Sequence, residues 1–217
     1  MSEQMVQLLL NGIVETLYMT IVSTVFAYLF GIPLGVILYI TDKNGICRNR
    51  AVNVVVGVIV NMVRSIPFLI LLVAILPFTR VVVGTTIGST ATIVPLIVAA
   101  TPFVARMVES SLKEVDAGVI EAARAMGSSN LQIIFKVLLP ETKPSLLVGC
   151  TISLATILSY SAMAGFVGGG GLGAIAINYG YYRYQGDVMW ITVALLVLIV
   201  QLFQELGLKL VRKVDKR

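Results

Sequence analysis

The segment Glu121–Pro140 carries the residue types and spacing best suited to a specific contact with another protein. It reads E-A-A-R-A-M-G-S-S-N-L-Q-I-I-F-K-V-L-L-P. Asp116 is suited to cap a first short helix, and Gly127 to end that helix in a left-handed conformation. Ser129 and Gln132 have the capping-box spacing that begins a second helix. The sequence therefore predicts a polar hairpin of two short helices, set at a fixed angle.

The hairpin would bind a partner protein through an acidic side chain and through a helix surface with little side-chain bulk. Glu121 would hold a partner cation or cap a neighbouring backbone, while the alanines let a partner approach closely. The second helix would carry an apolar face until Pro140 ends it. The alternative is a solvated helical loop with no partner. The candidate docking residues are Glu121, Ala122, Ala123, Met126, Gly127 and Pro140.

The composition excludes a soluble protein. Hydrophobic residues make up 58% of the 217 residues, charged residues make up 12%, and the mean hydropathy is +0.96. A soluble domain carries about a quarter charged residues. Charge-free runs cover 24 residues at 17–40, 25 at 81–105 and 39 at 144–182. A helix of about 24 residues crosses a hydrocarbon core of about 30 Å. We therefore predict an all-α, polytopic membrane protein.

The apolar runs predict one transmembrane domain over residues 1–217, with five transmembrane helices. We place the spans at about 13–41, 51–78, 90–112, 145–166 and 188–207, and the hairpin at about 113–143. Gly31, Pro33 and Gly35 in the first span predict a bend or a close helix contact. The glycine run 168–171 predicts a sharp re-entry between the last two spans, because no strand–helix context supports a dinucleotide-binding site there.

Lysine and arginine are distributed unevenly between the two sides of the predicted bundle. Thirteen of them lie in the segment 42–50, the segment 106–143 and the C-terminal tail. The opposite side has two, Arg80 and Arg183, and Arg64 lies within a span. The positive-inside rule then predicts a cytoplasmic hairpin and C-terminus, with the N-terminus outside. The same rule accounts for the sequence pI of about 9.3 without a nucleic-acid partner.

The fourth span carries a stripe that could line a pathway. Thr156, Ser159, Tyr160 and Met163 recur at helical spacing and so share one face. Met163 falls near the outer end of the span, where a flexible thioether could close a constriction; ordinary core packing is the alternative. Because no internal repeat is visible and five helices make a poor conduit, we predict a homodimer with its pathway on the two-fold axis.

Two further features each leave alternatives open. Arg64 is a charge inside an apolar stretch, so it should face protein or water; it either forms a structural ion pair or lines a substrate path. Four tyrosines precede Trp190, either as an aromatic belt at the membrane interface or as a docking surface for an external partner. They are Tyr179, Tyr181, Tyr182 and Tyr184.

The hairpin spacing resembles the EAA loop of the membrane subunits of ABC importers. The segment Arg64–Phe68 resembles an R-S-x-P element of amino-acid permeases in that class, and the last 60 residues resemble the methionine ABC importer permeases. The matching hairpin positions are Glu121, Ala122, Ala123, Gly127, Val137, Leu139 and Pro140, with Val137 where isoleucine is commonest.

The resemblance implies a type I importer fold in a bacterial inner membrane and a homodimer that transports methionine. It also implies two cytoplasmic ATPase subunits, which bind ATP and Mg²⁺, and an external methionine-binding protein. This chain would then hold no cofactor and catalyse no covalent step. The alternative substrate is another amino acid or small polar solute. A membrane enzyme is disfavoured because the chain has no histidine, and a scaffold or sensor would not need the EAA spacing.

Overall fold

The structure, a computed structural model, describes residues 3–214 and shows only helices and short connections in that range. The first half contains α1 (Glu3–Thr41), α2 (Arg50–Ser65), α3 (Phe68–Ala74), α4 (Leu76–Val83) and α5 (Ser89–Lys113). The hairpin contains α6 (Ala117–Ala125), α7 (Asn130–Ile133) and α8 (Leu139–Glu141), and α9 (Lys143–Ala164), α10 (Gly171–Ile175) and α11 (Gly186–Val214) follow. The predicted all-α fold class is confirmed.

Within residues 3–214, four helical segments are long and apolar enough to cross a membrane. They are α1, α5, the segment Lys143–Tyr181 and α11. A fifth crossing is formed if α2 and α3 count as one span, although the chain bends by 103° between them. The predicted stretch 51–78 is thus not one straight helix. Ile66 is extended at the bend, with φ −81° and ψ 125°, because the residue before a proline disfavours helical geometry.

The core of the bundle is built on close contact between α1 and α5. At Gly31 an added Cβ would lie 2.6 Å from Val104 Cγ1, and at Gly35 it would lie 2.6 Å from the Ala105 carbonyl oxygen. Small residues at these positions let the two helices approach closely, as is common in membrane bundles. α1 is helical on both sides of Pro33, so the glycines serve close packing.

The glycine run reverses the chain, as the sequence predicts. Gly168, Gly170 and Gly171 have φ values of 82°, 81° and 70°, a left-handed region that glycine enters freely. The reversed segment packs α10 back against the end of α9. Glu15 of α1 accepts a hydrogen bond from the Gly171 amide at 2.6 Å, and Thr16 accepts one from the Leu172 amide at 2.9 Å. α1 therefore caps the start of α10.

A buried carboxylate ties three helices together where α5 approaches the hairpin. Glu109 is 7% exposed; it accepts hydrogen bonds from Arg106 at 2.6 Å and from Lys113 at 2.7 Å. Lys113 also lies 3.5 Å from Asp42, just after α1. Arg106 donates to the Asn61 side chain of α2 at 2.9 Å. We call these five residues the Glu109 cluster.

We expect Glu109→Ala to destabilise the folded chain strongly. The substitution leaves Arg106 and Lys113 without their shared counter-ion. The loss should be about 3 kcal/mol, at the low end for breaking a buried pair, because the Arg106 side chain is 26% exposed. Thermal unfolding in detergent, followed by circular dichroism, measures the change.

The matched control for this prediction is Glu205→Ala on α11. Glu205 pairs with Lys209 at 2.9 Å, but both side chains are about two-thirds exposed, at 67% and 64%. Exposed pairs contribute little to stability, so no measurable change is expected. Equal shifts in the two variants would contradict the importance of the Glu109 cluster.

Candidate functional site

The first half of the hairpin is fixed at both ends by backbone hydrogen bonds. Asp116 caps α6 by accepting a hydrogen bond from the Gly118 amide at 2.6 Å. At the other end Gly127 has φ 78°, and its amide bonds the Arg124 carbonyl at 2.9 Å. The Ser128 amide bonds the Ala123 carbonyl at 3.1 Å. Together these bonds form the Schellman motif, so the exit angle of α6 is fixed locally.

The second half of the hairpin begins as predicted and ends differently. Ser129 and Gln132 form both hydrogen bonds of a capping box. α7 has only four residues before the chain widens into a π-helical segment, Ile134–Leu138. The prediction that Pro140 ends this helix is wrong: Pro140 lies in the first turn of α8, and the chain stays helical. Proline is tolerated in a first turn, where its missing N–H has no intrahelical partner.

The buried face of the hairpin anchors it to the bundle. Ile133, Ile134 and Leu138 are 0%, 7% and 0% exposed and belong to the main core. Ala123 is 3% exposed and lies in the same core, so the prediction that its small side chain faces a partner is wrong. The Schellman turn explains this difference, because it aims this side of α6 at the apolar face of the following segment.

The outer face of the hairpin leaves both charged and apolar groups uncovered. Glu121, Ala122 and Gly127 are exposed, as expected for partner contact. Met126, a predicted docking residue, is 78% exposed. The structure adds three exposed apolar side chains that the sequence analysis did not list, Val119 at 41%, Leu131 at 67% and Phe135 at 66%. Uncovered apolar groups in a polar hairpin favour a protein partner.

The stripe on α9 lies on a partly uncovered face. Thr156 and Ser159 donate their hydroxyl groups to carbonyls one turn earlier, at 2.9 and 3.0 Å. Tyr160 stacks on Phe68 of α3, with 4.6 Å between the ring centroids and 4° between the planes. Met163 is 45% exposed. The Thr156 and Ser159 hydroxyls are therefore satisfied within the helix.

Arg64 does not form the ion pair that one interpretation predicts. It is exposed, and within residues 3–214 it makes no ion pair or hydrogen bond. It lines a cavity of about 340 Å³ between α2, α5 and α9. The ion pairing of this region belongs instead to Arg106 in the Glu109 cluster. Arg106, Glu109 and Lys113 have the i,i+3 and i,i+4 spacing at which helical side chains pair. This spacing in the sequence could have identified the ion pairs.

The aromatic cluster before α11 is largely exposed. The Arg183 guanidinium lies 4.4 Å from the centre of the Tyr179 ring, within cation–π range. Tyr181, Tyr182 and Tyr184 are 59%, 59% and 91% exposed, and Trp190 is 74% exposed. This exposure is compatible with both interpretations, a membrane-interface belt and a docking surface.

Comparison with known proteins gives matches over nearly the whole chain. The family described as binding-protein-dependent transport system inner membrane component matches residues 31–216. The probable D-methionine transport system permease protein MetI of Vibrio cholerae is 53% identical over 210 residues, 97% of this chain and 93% of the relative. The D-methionine transport system permease protein MetI of Escherichia coli K12 is 54% identical over 165 residues, 76% of each chain.

A solved structure agrees with these matches. It is described as an inward-facing conformation of the MetNI methionine ABC transporter, and it superposes with a TM-score of 0.98 at 52% identity, covering 100% of both chains. The predicted resemblance to the permeases of ABC importers, and with it the type I importer fold, is therefore confirmed. The chain belongs to the family of inner membrane components of binding-protein-dependent transport systems.

Proposed function

We propose that this chain is the permease subunit of an ATP-driven methionine importer. The observation that carries the proposal is the full-length superposition on the MetNI methionine transporter at 52% identity. The relatives named as D-methionine permeases support the same substrate. The hairpin supplies the chemistry that such a subunit needs, because it is anchored by buried apolar residues and leaves Glu121 and Met126 exposed.

The proposed assembly contains two copies of this chain and two ATPase subunits. Each hairpin would seat in one ATPase, and an external methionine-binding protein would deliver the substrate. ATP and Mg²⁺ would bind to the ATPase, so this chain carries no nucleotide chemistry of its own. Closure of the ATPase pair would draw the two hairpins together. Because each hairpin is packed into its bundle core, the spans would then move as rigid bodies.

The chain is an inner membrane component, and its orientation follows from charge. We propose that the hairpin and C-terminus are cytoplasmic and that the N-terminus is outside, since thirteen of the sixteen basic residues lie in the segments on the hairpin side. Two of these residues, Lys216 and Arg217, lie outside the described part of the chain. The glycine run and the aromatic cluster would then face the binding protein.

The substrate is tested in proteoliposomes that contain this chain, its partner ATPase and the binding protein. We expect methionine to stimulate ATP hydrolysis and to accumulate inside, while other amino acids do neither. Stimulation by a different amino acid or a small polar solute would favour the alternative substrate. Failure of the ATPase to co-purify with the chain would contradict the importer assignment itself.

We expect Gly127→Val to uncouple ATP hydrolysis from transport while the chain still inserts. No atom lies within 4 Å of a Cβ added at Gly127, so the effect comes from backbone strain at φ 78°. A β-branched residue resists this conformation by about 1 kcal/mol or more, which would change the angle at which the hairpin meets the ATPase. Uptake and ATP hydrolysis are measured together.

The matched control for Gly127 is Gly84→Val at the end of α4. Gly84 has φ 84° and likewise has no atom within 4 Å of an added Cβ, so the strain is the same while the position is outside the hairpin. Uptake should stay coupled to hydrolysis in this control. Full transport by Gly127→Val would contradict the docking role of the hairpin.

We expect Met163→Cys to cross-link between two copies of the chain in the resting complex. The exposed stripe on α9 would place the two Met163 residues opposite each other on the dimer axis. Disulfides need Cα atoms within about 7 Å, so the assay is geometrically strict. Cys47 and Cys150, which are free thiols, must be replaced first. Cross-linking is measured by non-reducing electrophoresis, with and without the ATPase trapped closed.

The trapped state should suppress the cross-link, because the outer side opens when the ATPase closes. The control is Val25→Cys, an exposed position on α1, which should not cross-link in either state. If Met163→Cys fails to cross-link in both states, Met163 belongs to ordinary packing and the gate is elsewhere.

A further inference from the structure

A cavity opens between α2, α5 and α9. On α9 it contacts the first turns, which precede the stripe. Its volume is about 340 Å³, and it is lined by Arg64, Phe103, Arg106, Met107, Ser110 and Val148, among others. A second cavity of about 300 Å³ shares Ser111, Glu114, Ser145 and Val148 with it. The two therefore form one cleft, which runs between α5 and α9 towards the hairpin. We call the first of them the Arg64 cavity.

The two arginines of the Arg64 cavity differ in their pairing. Arg106 donates to Glu109 at 2.6 Å, to Asn61 at 2.9 Å and to the Gly57 carbonyl at 3.3 Å. Its charge is therefore compensated within the chain. Arg64 has no such partner in the described residues. The cavity is thus left with one uncompensated guanidinium, whose planar fork matches the geometry of a carboxylate.

The remaining walls of the Arg64 cavity are suited to an unbranched apolar side chain. Phe103 and Met107 are half-buried on α5, and Val148 faces the same space from α9. Thioethers make favourable contacts with aromatic rings and with other flexible side chains. Glu114, directly after α5, also lines the cavity and supplies a carboxylate there.

We propose that the Arg64 cavity is a transit site for a free amino acid, whose α-carboxylate binds Arg64 while its side chain contacts Phe103, Met107 and Val148. This inference rests on the proposed function, because it assumes that an amino acid crosses the bundle. Binding would occur at the last turn of α2, directly before the bend at Ile66 and Pro67. A bound substrate would therefore contact the element whose continuation, α3, stacks on the α9 stripe through Phe68 and Tyr160.

The test compares methionine with methioninol, which replaces the carboxylate by a hydroxymethyl group. Both compete for labelled methionine on the purified complex of this chain and its ATPase in lipid nanodiscs, after subtraction of binding to the ATPase alone. Wild-type complex should prefer methionine by about tenfold or more, the size expected for a charge-assisted hydrogen bond. Absence of binding, or equal binding of the two compounds, overturns the proposal without any variant.

Arg64→Gln should bring the preference for methionine over methioninol close to one, and Arg64→Lys should keep part of it. The matched control is Arg80→Gln on α4, which removes another exposed arginine that has no partner in the described residues. The control should retain the wild-type ratio. Co-purification of the ATPase with each variant checks that the chain is folded. An unchanged ratio in Arg64→Gln overturns the proposal.

Failure of this proposal is distinguishable from failure of the proposed function. Suppose that wild-type proteoliposomes import methionine while Arg64→Gln keeps the wild-type preference for methionine over methioninol. That result overturns the transit site and leaves the importer assignment standing. If wild-type protein imports another amino acid instead, the same comparison is made between that amino acid and its alcohol. A preference that depends on Arg64 then supports the site, and a preference that is independent of Arg64 overturns it.

Discussion

The Glu109 carboxylate is buried between two cations, and the organisation of the hairpin side of the bundle depends on it. Through Arg106 it reaches α2, and through Lys113 it reaches Asp42 at the end of α1. A carboxylate left alone at this depth would be costly, so the cluster must form as a unit. Lys113 is the last residue of α5, and Asp116 caps the hairpin three residues later. A force on the hairpin is therefore applied where three helices are joined.

Helical continuity is lost at the break between α2 and α3. Pro67 prevents a continuous helix there, and the chain turns by 103°. Beyond the break, Phe68 stacks on Tyr160 of the α9 stripe. By contrast, the α1–α5 contact has no spare volume, because a methyl group added at Gly31 or Gly35 would overlap α5. The α1–α5 pair is therefore the close-packed part of the bundle, while the α2–α3 break borders the stripe.

Local features of the sequence were the most predictable. The Asp116 cap, the left-handed Gly127 and the Ser129 capping box each depend on neighbours within a few residues, and all three are present. The errors arose where distant contacts decide the outcome. Ala123 is buried because the segment after Gly127 folds back on it. The stretch 51–78 can still form one span, with a bend at Ile66 that the following proline imposes.

Arg64 and Arg106 show why spacing alone did not identify the charged site. Sequence inspection singled out Arg64 because its neighbours are apolar, and an ion pair was the ordinary expectation for such a residue. The pairing went instead to Arg106, which has Glu109 one turn away on its own helix and Asn61 on the adjacent one. That carboxylate is also shared with Lys113, and Arg64 forms no ion pair within residues 3–214. Many importers share this fold, and a fold does not define a substrate. In the proposed transit site, the Arg64 guanidinium would be the group that discriminates among the molecules that pass it.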